Sequence, residues 1–434
     1  MESASRSRLA ILGGKPVISH DHPHLFQWPI ITSEDKLAVL EVVSSGTMSG
    51  INITQKFEEE WGSYLGTEYN LGHCNGTASL YAAMFAVGLG RGDEMIVPSL
   101  TYWASALQAM SLGATPVFAD IDPVTLTIDP DDIERRITPR TRALMVVHYC
   151  GHPCDMNRIL PLVRRHKLKL IEDLSHAQGA LYDGKKLGTF GDAAGISMMS
   201  TKSFAIGEAG MLSTNDRLMY ERAVAFGHYD RTGSDVKDSS LRQMVDPDHF
   251  ATGLPLGGIK ARMNQTCAAM GRVQLKHYQS RIEEIQTAMN YFWDLLEGVP
   301  GIRPHRVGKG TNSTMGGWFN PLGHYVPEEL DGLPVNRFID AVKSEGVRCG
   351  RGANFPLHLH PLFNSADVYN DGKPTRIAFA CRDVRQCAGS LPVTESLGNR
   401  VLGVPWFKHH QPELIEQYAE AFRKVATNAS QLAE

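Results

Sequence analysis

Seven short apolar runs alternate with helical segments between residues 71 and 215, and this alternation constrains the fold more than any other feature. The runs are LGHC at 71, MIVPS at 95, TPVFADI at 115, RALMVVH at 142, LKLIED at 168, AAGISMM at 193 and MLSTN at 211. Strands that alternate with helices form a mostly parallel sheet covered by helices. The sequence therefore predicts an α/β fold whose ligands bind beyond the carboxyl ends of the strands.

The length of 434 residues predicts more than one domain, because a single simple core rarely grows so large. We interpret residues 1–30 as an N-terminal arm, 31–275 as a large domain and 276–434 as a smaller α+β domain. The polar stretch 228–258 is either an active-site loop or a solvated connection. A final amphipathic helix is predicted at about 412–432.

Two helices are predicted ahead of the first strand. The first opens at Thr32, which forms a capping-box pattern with Asp35, and is expected to turn Leu37 and Leu40 inward. The second spans about residues 54–65 and ends at a glycine that can serve as its C-terminal cap.

Composition and charge favour a small-molecule partner. A net charge of -4 offers no electrostatic reason to bind nucleic acid or an anionic membrane. Seven cysteines without a CxxC pair indicate reduced thiols, and neither a signal peptide nor a membrane-spanning run is evident. We therefore expect a cytoplasmic protein.

Metal and nucleotide motifs are missing from the sequence. The histidines at 22 and 24, 358 and 360, and 409 and 410 lack partners at ligand spacing, and there is no HExxH. A P-loop and a GxGxxG motif are also absent. No metal site is predicted.

One acid and one lysine carry the chemical prediction. Asp173 ends the apolar run LKLIED, and Lys202 lies in the small, polar segment SMMSTKSFAIGEAG. Pyridoxal phosphate chemistry needs an amine that bonds to the aldehyde and a carboxylate that keeps the pyridine nitrogen protonated. Taken singly, either residue is more often a surface lysine or a turn-forming aspartate, so the pair and its surroundings carry the interpretation.

A phosphate cradle is predicted where a strand turns into a helix. Asn75, Gly76 and Thr77 supply backbone amides, a hydroxyl and the positive end of a helix dipole. The alternative is that Asn75 and Thr77 only cap the helix. Tyr102, after the strand MIVPS, is placed to stack on a flat ring, although aromatics there are often core. Ser197 would add a hydroxyl near the phosphate.

Taken in order, these segments resemble the DegT/DnrJ/EryC1/StrS family of fold type I pyridoxal phosphate enzymes, the sugar and cyclitol aminotransferases. The resemblance covers nearly the whole chain and is more specific for the family than for the substrate. It rests on LAILGGKPV, NGTASL, VPSLTYWAS, ATPVFADIDP, IEDLSHAQGALYDGKKLGTFGD, SMMSTKSFAIGEAGMLSTND, ARMNQTCAAMGRVQL and LPVTESLGNRVLGVP.

The resemblance implies a role for each matching position. Lys202 becomes the Schiff-base lysine and Asp173 the partner of the pyridine nitrogen. The phosphate contacts implied are Gly76, Thr77, Ala78 and Ser197. Tyr102 is implied to stack on the ring face, and His176 to contact the ring hydroxyl.

The sequence departs from the family pattern at two places. Many members have glutamine where this chain has His176, and this chain has glutamine at 178 instead. The family often reads G-x-N-Y-R, with the asparagine reaching the phosphate in the neighbouring subunit, whereas this chain has Lys260 at that position. Lys260 either makes the same contact, because an ammonium binds phosphate well, or is a surface lysine. The contact implies a homodimer with shared active sites.

The family implies transfer of an amino group from glutamate or glutamine to a keto sugar or keto cyclitol, for example a scyllo-inosose-like ketone. Such reactions serve amino sugar, antibiotic and other secondary metabolite biosynthesis. A first rival is a sugar dehydratase or an aminohydroxybenzoate-synthase-like enzyme. The family's dehydratases replace the lysine with histidine, so Lys202 argues against that branch. A second rival is a non-catalytic regulatory protein that binds the same cofactor.

Overall fold

The computed structural model describes residues 8–432, except for 238–240, 242–255, 368–369, 371, 373–379 and 381. The strands of the first half are β1 (Tyr69–His73), β2 (Glu94–Pro98), β3 (Thr115–Ala119), β4 (Thr141–Val147), β5 (Lys169–Asp173), β6 (Leu181–Tyr182), β7 (Lys185–Lys186), β8 (Ala193–Ser197) and β9 (Gly210–Thr214). β6 and β7 pair only with each other in the described part of the chain, and the other seven strands form one sheet.

The strand order in this sheet is β1-β9-β8-β5-β4-β2-β3. β9 pairs antiparallel with both of its neighbours, and the remaining pairs are parallel. The predicted mostly parallel α/β sheet is confirmed. β5 lies in the middle of the sheet, where Asp173 pairs with Val147 of β4 and Gly195 of β8. The carboxyl end of β5 is therefore enclosed by strands on both sides.

The described helices of the first half are α1 (Ser33–Ser44), α2 (Asn52–Leu65), α3 (Gly76–Ala86), α4 (Leu107–Ser111), α5 (Pro130–Arg136), α6 (Met156–His166), α7 (Arg217–Gly227) and α8 (Thr232–Asp235). The later described helices are α9 (Gln265–Leu295), α10 (Val335–Ser344), α11 (Pro361–Asn364), α12 (Pro392–Ser396) and α13 (Pro412–Thr427). Residues 238–240 and 242–255 of the predicted polar stretch 228–258 lie outside the described residues.

A smaller antiparallel sheet follows α9. Its strands are β10 (Ile302–Pro304), β11 (Leu322–Tyr325), β12 (Gly350–Arg351) and β13 (Val401–Gly403), in the order β10-β11-β13-β12. Side chains of this sheet share an apolar core with α10, α13 and the second half of α9. The predicted division between residues 275 and 276 falls inside α9, a single helix of 31 residues. The two predicted domains therefore share this helix.

Helix α1 begins as predicted but faces the other way. Thr32 and Asp35 form the capping box. Leu37 and Leu40 are 65% and 58% exposed, which contradicts the expected inward orientation. The helix presents a different face to α9, where Asp35 accepts a hydrogen bond from Gln274 Nε2 at 2.7 Å and Val42 is buried. The buried hydrogen bond between Asp35 and Gln274 therefore decides which face of α1 packs against α9.

No helix among the described residues is long and apolar enough to cross a membrane.

The predicted second helix is confirmed, with Gly66 in a left-handed conformation (φ 93°) as its C-terminal cap. The six described cysteines are free thiols. Cys381 lies outside the described residues.

Candidate active site

A cavity of about 480 Å³ opens at the carboxyl ends of the central strands. Seven of the nine predicted site residues line it: Gly76, Thr77, Tyr102, Asp173, His176, Ser197 and Lys202. Ala78 and Lys260 are not among the described residues that line it. Separate strand ends and a later loop thus bring the predicted groups to one place.

Asp173 is the last residue of β5 and is 5% exposed. Its Oδ2 accepts a hydrogen bond from Ser105 Oγ at 2.7 Å, and its Oδ1 accepts one from the Ser175 amide at 3.0 Å. Ser105 in turn pairs with the Thr101 hydroxyl at 2.7 Å. This network orients the carboxylate and leaves further lone pairs for a ligand.

Lys202 lies on a loop that is fixed by a buried aromatic residue. Phe204 stacks on Phe57, with ring centroids 6.1 Å apart, and packs edge-on against Tyr278 at 4.9 Å. Lys202 Nζ lies 4.0 Å from the ring centroid of Phe319. Burial lowers the pKa of Lys202 to about 8, while the Asp173 carboxylate acts in the opposite direction. A substantial fraction of this lysine is therefore uncharged slightly above neutral pH.

The predicted phosphate cradle is the N-terminus of α3. Asn75 is the N-cap, and its Oδ1 accepts from the Ala78 amide at 2.8 Å. The backbone N–H groups of Gly76 and Thr77 lie in the first turn of α3, where they have no intrahelical acceptor, and they point out of the end of the helix. A β-carbon on Gly76 would lie 2.4 Å from Ser197 Cβ. Glycine thus allows β8 and α3 to approach closely at this end of the cavity.

His176 has a defined protonation state. It is buried, and its Nδ1 accepts from the Cys150 amide at 3.3 Å. Burial and the nearby Lys202 hold the pKa of His176 well below its usual range. The imidazole is therefore neutral and carries its proton on Nε2. Gln178 instead donates to the Ser197 carbonyl and accepts from Ser203, so its side chain is occupied outside the cavity.

The other predicted positions differ in exposure. Tyr102 lines the cavity but is 58% exposed. The Ala78 amide is occupied by Asn75, as described above. Lys260 is exposed, and its Nζ lies 5.9 Å from the Tyr229 ring centroid. The cofactor roles of Ala78 and Lys260 therefore stay predictions.

Sequence reasoning missed several residues that shape the site. Ser105 and Ser175 support Asp173, and Phe319 contacts Lys202. The indole Nε1 of Trp28, from the arm, donates to the Lys202 carbonyl at 3.0 Å. Asn354 lines the cavity from the second half of the chain. Only Ser105 and Ser175 had a usable signal, since they follow strands that were predicted.

Three polar side chains on later loops have structural partners outside the cavity. His228 bonds to the Gly72 carbonyl at 2.9 Å. Arg231 pairs with Glu58 at 2.8 Å. His358 is buried between Ser99 and Glu395. None of these three is among the residues described as lining the cavity.

The residues present fit pyridoxal phosphate. The cavity combines a half-buried amine, a carboxylate held by two donors, free amides at a helix N-terminus and a neutral imidazole. Among the described residues, no group of three or more His, Cys, Asp or Glu side chains is placed to hold a metal ion.

Comparison with known proteins agrees with this fit. The chain matches the DegT/DnrJ/EryC1/StrS aminotransferase family over residues 29–423. It is 38% identical over 397 residues to GDP-perosamine synthase of Escherichia coli O157:H7, covering 91% of this chain and 96% of the synthase. It is 31% identical over 440 residues to L-glutamine:2-deoxy-scyllo-inosose aminotransferase of Micromonospora echinospora, covering 98% and 99% of the two chains.

A solved structure shows the same fold. The X-ray structure of the aminotransferase from Psychrobacter cryohalolentis has a TM-score of 0.79 and 27% sequence identity, covering 94% of this chain and 100% of that chain. The protein therefore belongs to the DegT/DnrJ/EryC1/StrS aminotransferase family, and it is a pyridoxal phosphate-dependent aminotransferase with the fold type I architecture.

Proposed function

We propose that this aminotransferase moves an amino group from glutamate or glutamine to a keto sugar or keto cyclitol, in amino sugar or secondary metabolite biosynthesis. Its relatives include an enzyme named for a nucleotide-linked sugar and one named for a cyclitol. The observation that carries the proposal is the half-buried Lys202 amine in one cavity with the hydrogen-bonded Asp173 carboxylate. A scyllo-inosose-like ketone is our preferred acceptor.

Pyridoxal phosphate, when bound, supplies a ring that delocalises the electrons left after a proton leaves the donor's α-carbon. Lys202 Nζ is the base that accepts this proton, since its pKa of about 8 lets the free amine exist near neutral pH. Asp173 would keep the pyridine nitrogen protonated, and Ser105 and the Ser175 amide hold its carboxylate in place.

Other residues bind and orient. The amides of Gly76 and Thr77 and the Ser197 hydroxyl would hold the phosphate at the N-terminus of α3, where the helix dipole favours an anion. His176 would donate from Nε2 to the ring hydroxyl, because its Nδ1 is already an acceptor. In the second half of the cycle, Lys202 Nζ returns a proton to the carbon that receives the amino group.

The first rival is a dehydratase or an aminohydroxybenzoate-synthase-like enzyme on the same cofactor. Lys202 disfavours the family's dehydratases, which have histidine at that position, but not the aromatising type. A product assay with a keto cyclitol and glutamine, beside one with an amino-dehydroshikimate-type substrate, separates the two. Our proposal expects amination of the cyclitol and no aromatic product.

The second rival is a regulatory protein that binds the cofactor without turnover. Glutamate or glutamine, added to the yellow holoenzyme without an acceptor, must remove the absorbance of the lysine-bound cofactor if the protein is a catalyst. A keto sugar or keto cyclitol must then restore it. Unchanged absorbance with both donors would contradict the proposed function.

We also propose a homodimer with shared active sites, in which Lys260 reaches the phosphate in the partner's site. Support comes from an exposed apolar face on and beside α1, formed by Ile31, Leu37, Leu40, Val43 and Met48, each at least 40% exposed. A second copy of the chain would cover this face. Sedimentation equilibrium should show a dimer for the wild type and a weaker one for Leu40→Glu.

A further inference from the structure

Asn354 reaches the cavity from the side of the small sheet. A residue that follows β4 of the large sheet holds it there. Asn354 lies three residues after β12 and lines the cavity with an exposed side chain. Its Oδ1 accepts a hydrogen bond from Tyr149 Oη at 2.6 Å, and its backbone amide donates to the same phenol at 3.1 Å. Tyr149 follows β4, is fully buried and packs 5.6 Å from the His176 ring.

These two bonds determine which way the amide points. A phenol has one hydrogen to donate, and the buried Tyr149 needs an acceptor for it. Its oxygen already accepts from the Asn354 backbone, so the hydrogen is donated to the side chain and the atom it meets is the amide oxygen. Asn354 Nδ2 therefore points away from Tyr149, and it has no hydrogen-bond partner among the described residues.

From this geometry, we propose that Asn354 is a specificity-determining residue whose Nδ2 donates to a hydroxyl oxygen of the acceptor, a ketone on an uncharged cyclic polyol. The inference rests on the proposed function. A neutral amide suits a hydroxyl oxygen, whereas phosphates and carboxylates are bound best by arginine or lysine. Tyr149 is the positioning residue, because it fixes the amide before substrate arrives.

A substitution combined with substrate analogues tests the contact. The enzyme is loaded with its amino group by glutamine and given scyllo-inosose and inososes that each lack one hydroxyl. Asn354→Leu keeps the size of the side chain but removes the donor. We expect kcat/KM to fall about tenfold for the full polyol, the usual effect of one lost hydrogen bond. The analogue that lacks the contacted hydroxyl should be unaffected by the substitution.

Two further variants separate recognition from structural damage. Asn399→Leu, at an exposed asparagine two residues before β13, is the matched control and should leave every kcat/KM within about twofold. Tyr149→Phe keeps the amide but frees its orientation, so it should weaken the same contact by roughly threefold. An equal loss for all analogues in Asn354→Leu, or no loss for any, would overturn the inference.

Binding and amine loading provide readouts that do not depend on complete turnover. Calorimetry with unreactive scyllo-inositol should show tighter binding to the wild type than to Asn354→Leu, by about tenfold. Equal binding, or none to the wild type, contradicts the inference. Loss of the yellow absorbance on adding glutamine should be the same in both proteins. If the wild type fails that step with both glutamine and glutamate, the proposed function itself is wrong.

Discussion

Lys202 is held at both ends by aromatic side chains from distant parts of the chain. Trp28 of the arm donates to its carbonyl, and the Phe319 ring lies under its ammonium. Burial lowers the pKa of Lys202 to about 8, whereas an aromatic face favours the charged form. The lysine is thus held in a defined position while its proton remains exchangeable near neutral pH.

At the same scale, we predict that Ser105→Ala lowers kcat about tenfold, because Asp173 Oδ2 loses its hydroxyl donor. Steady-state kinetics measures the loss, and the pH dependence of the cofactor's visible absorbance reports the changed carboxylate. Ser344→Ala, at a partly exposed serine of α10, is the control. A kcat within twofold of the wild type would show that Ser105 does not support the acid.

Lys408 is a buried amine that costs stability. It is 3% exposed, its Nζ has no hydrogen-bond partner among the described residues, and it contacts the Trp406 ring. Burial holds the pKa of Lys408 well below its usual range. At a pH above the lowered pKa of the folded state, unfolding takes up a proton, and this linkage favours the unfolded state.

We predict that Lys408→Met raises the free energy of unfolding at pH 7 by about 1–3 kcal/mol. Urea unfolding at pH 7 and pH 9 measures the change, and the advantage of methionine should shrink at the higher pH. Lys343→Met, at an exposed lysine, serves as the control. A less stable Lys408→Met protein would show that the amine has a partner or a structural role.

At the scale of elements, the start of α3 packs closely against the end of β8. We predict that Gly76→Ala weakens pyridoxal phosphate binding at least about tenfold, because the new methyl group meets both the backbone and Cβ of Ser197. Fluorescence titration with the cofactor measures the affinity. Gly90→Ala, where a β-carbon meets nothing within 4 Å, is the matched control. If Gly76→Ala and the wild type bound the cofactor with equal affinity, the predicted role of Gly76 in the phosphate cradle would be wrong.

Local patterns predicted the elements well. The run LKLIED became β5 with Asp173 at its end, and Thr32 and Asp35 capped α1 as expected. Such signals lie within a few residues of each other. The rotation of α1 was predicted incorrectly, because it carries two apolar stripes and the sequence does not show that the Asp35–Gln274 bond selects one.

The parts of the site that come from the second half of the chain had no local signal. Phe319 and Asn354 lie on loops beside the small sheet, more than a hundred residues after Lys202. Their place depends on how that sheet packs on the large one, which periodicity does not report. The strand-end residues were found because parallel strands bring their carboxyl ends together.

At the scale of the whole molecule, three histidines lie where the small sheet meets the large one. The His305 ring centroid is 5.2 Å from that of His152 and 5.6 Å from that of His324. His305 and His324 donate to the carbonyls of Thr125 and Val124, which lie after β3. Burial lowers the pKa of all three histidines, so they are neutral in the folded protein.

We predict that stability decreases as the pH falls below about 6.5, the ordinary histidine pKa. Below that pH the unfolded chain binds protons that the buried histidines of the folded protein do not bind. This difference lowers the free energy of unfolding by up to about 1.4 kcal/mol per pH unit for each histidine. Urea unfolding at pH 7, 6 and 5 measures the slope. His305→Phe should reduce it, and His277→Phe, at an exposed histidine of α9, is the control. An unchanged slope in His305→Phe would contradict this account.

The most direct test of the account asks which lysine carries the cofactor. The yellow holoenzyme is reduced with borohydride, digested and mapped by mass spectrometry, beside a Lys202→Arg protein treated in the same way. The account predicts a pyridoxyl group on the peptide that contains Lys202 and no stable label in the variant. A label on Lys260, Lys408 or any other lysine, or undiminished transamination by Lys202→Arg, would contradict it.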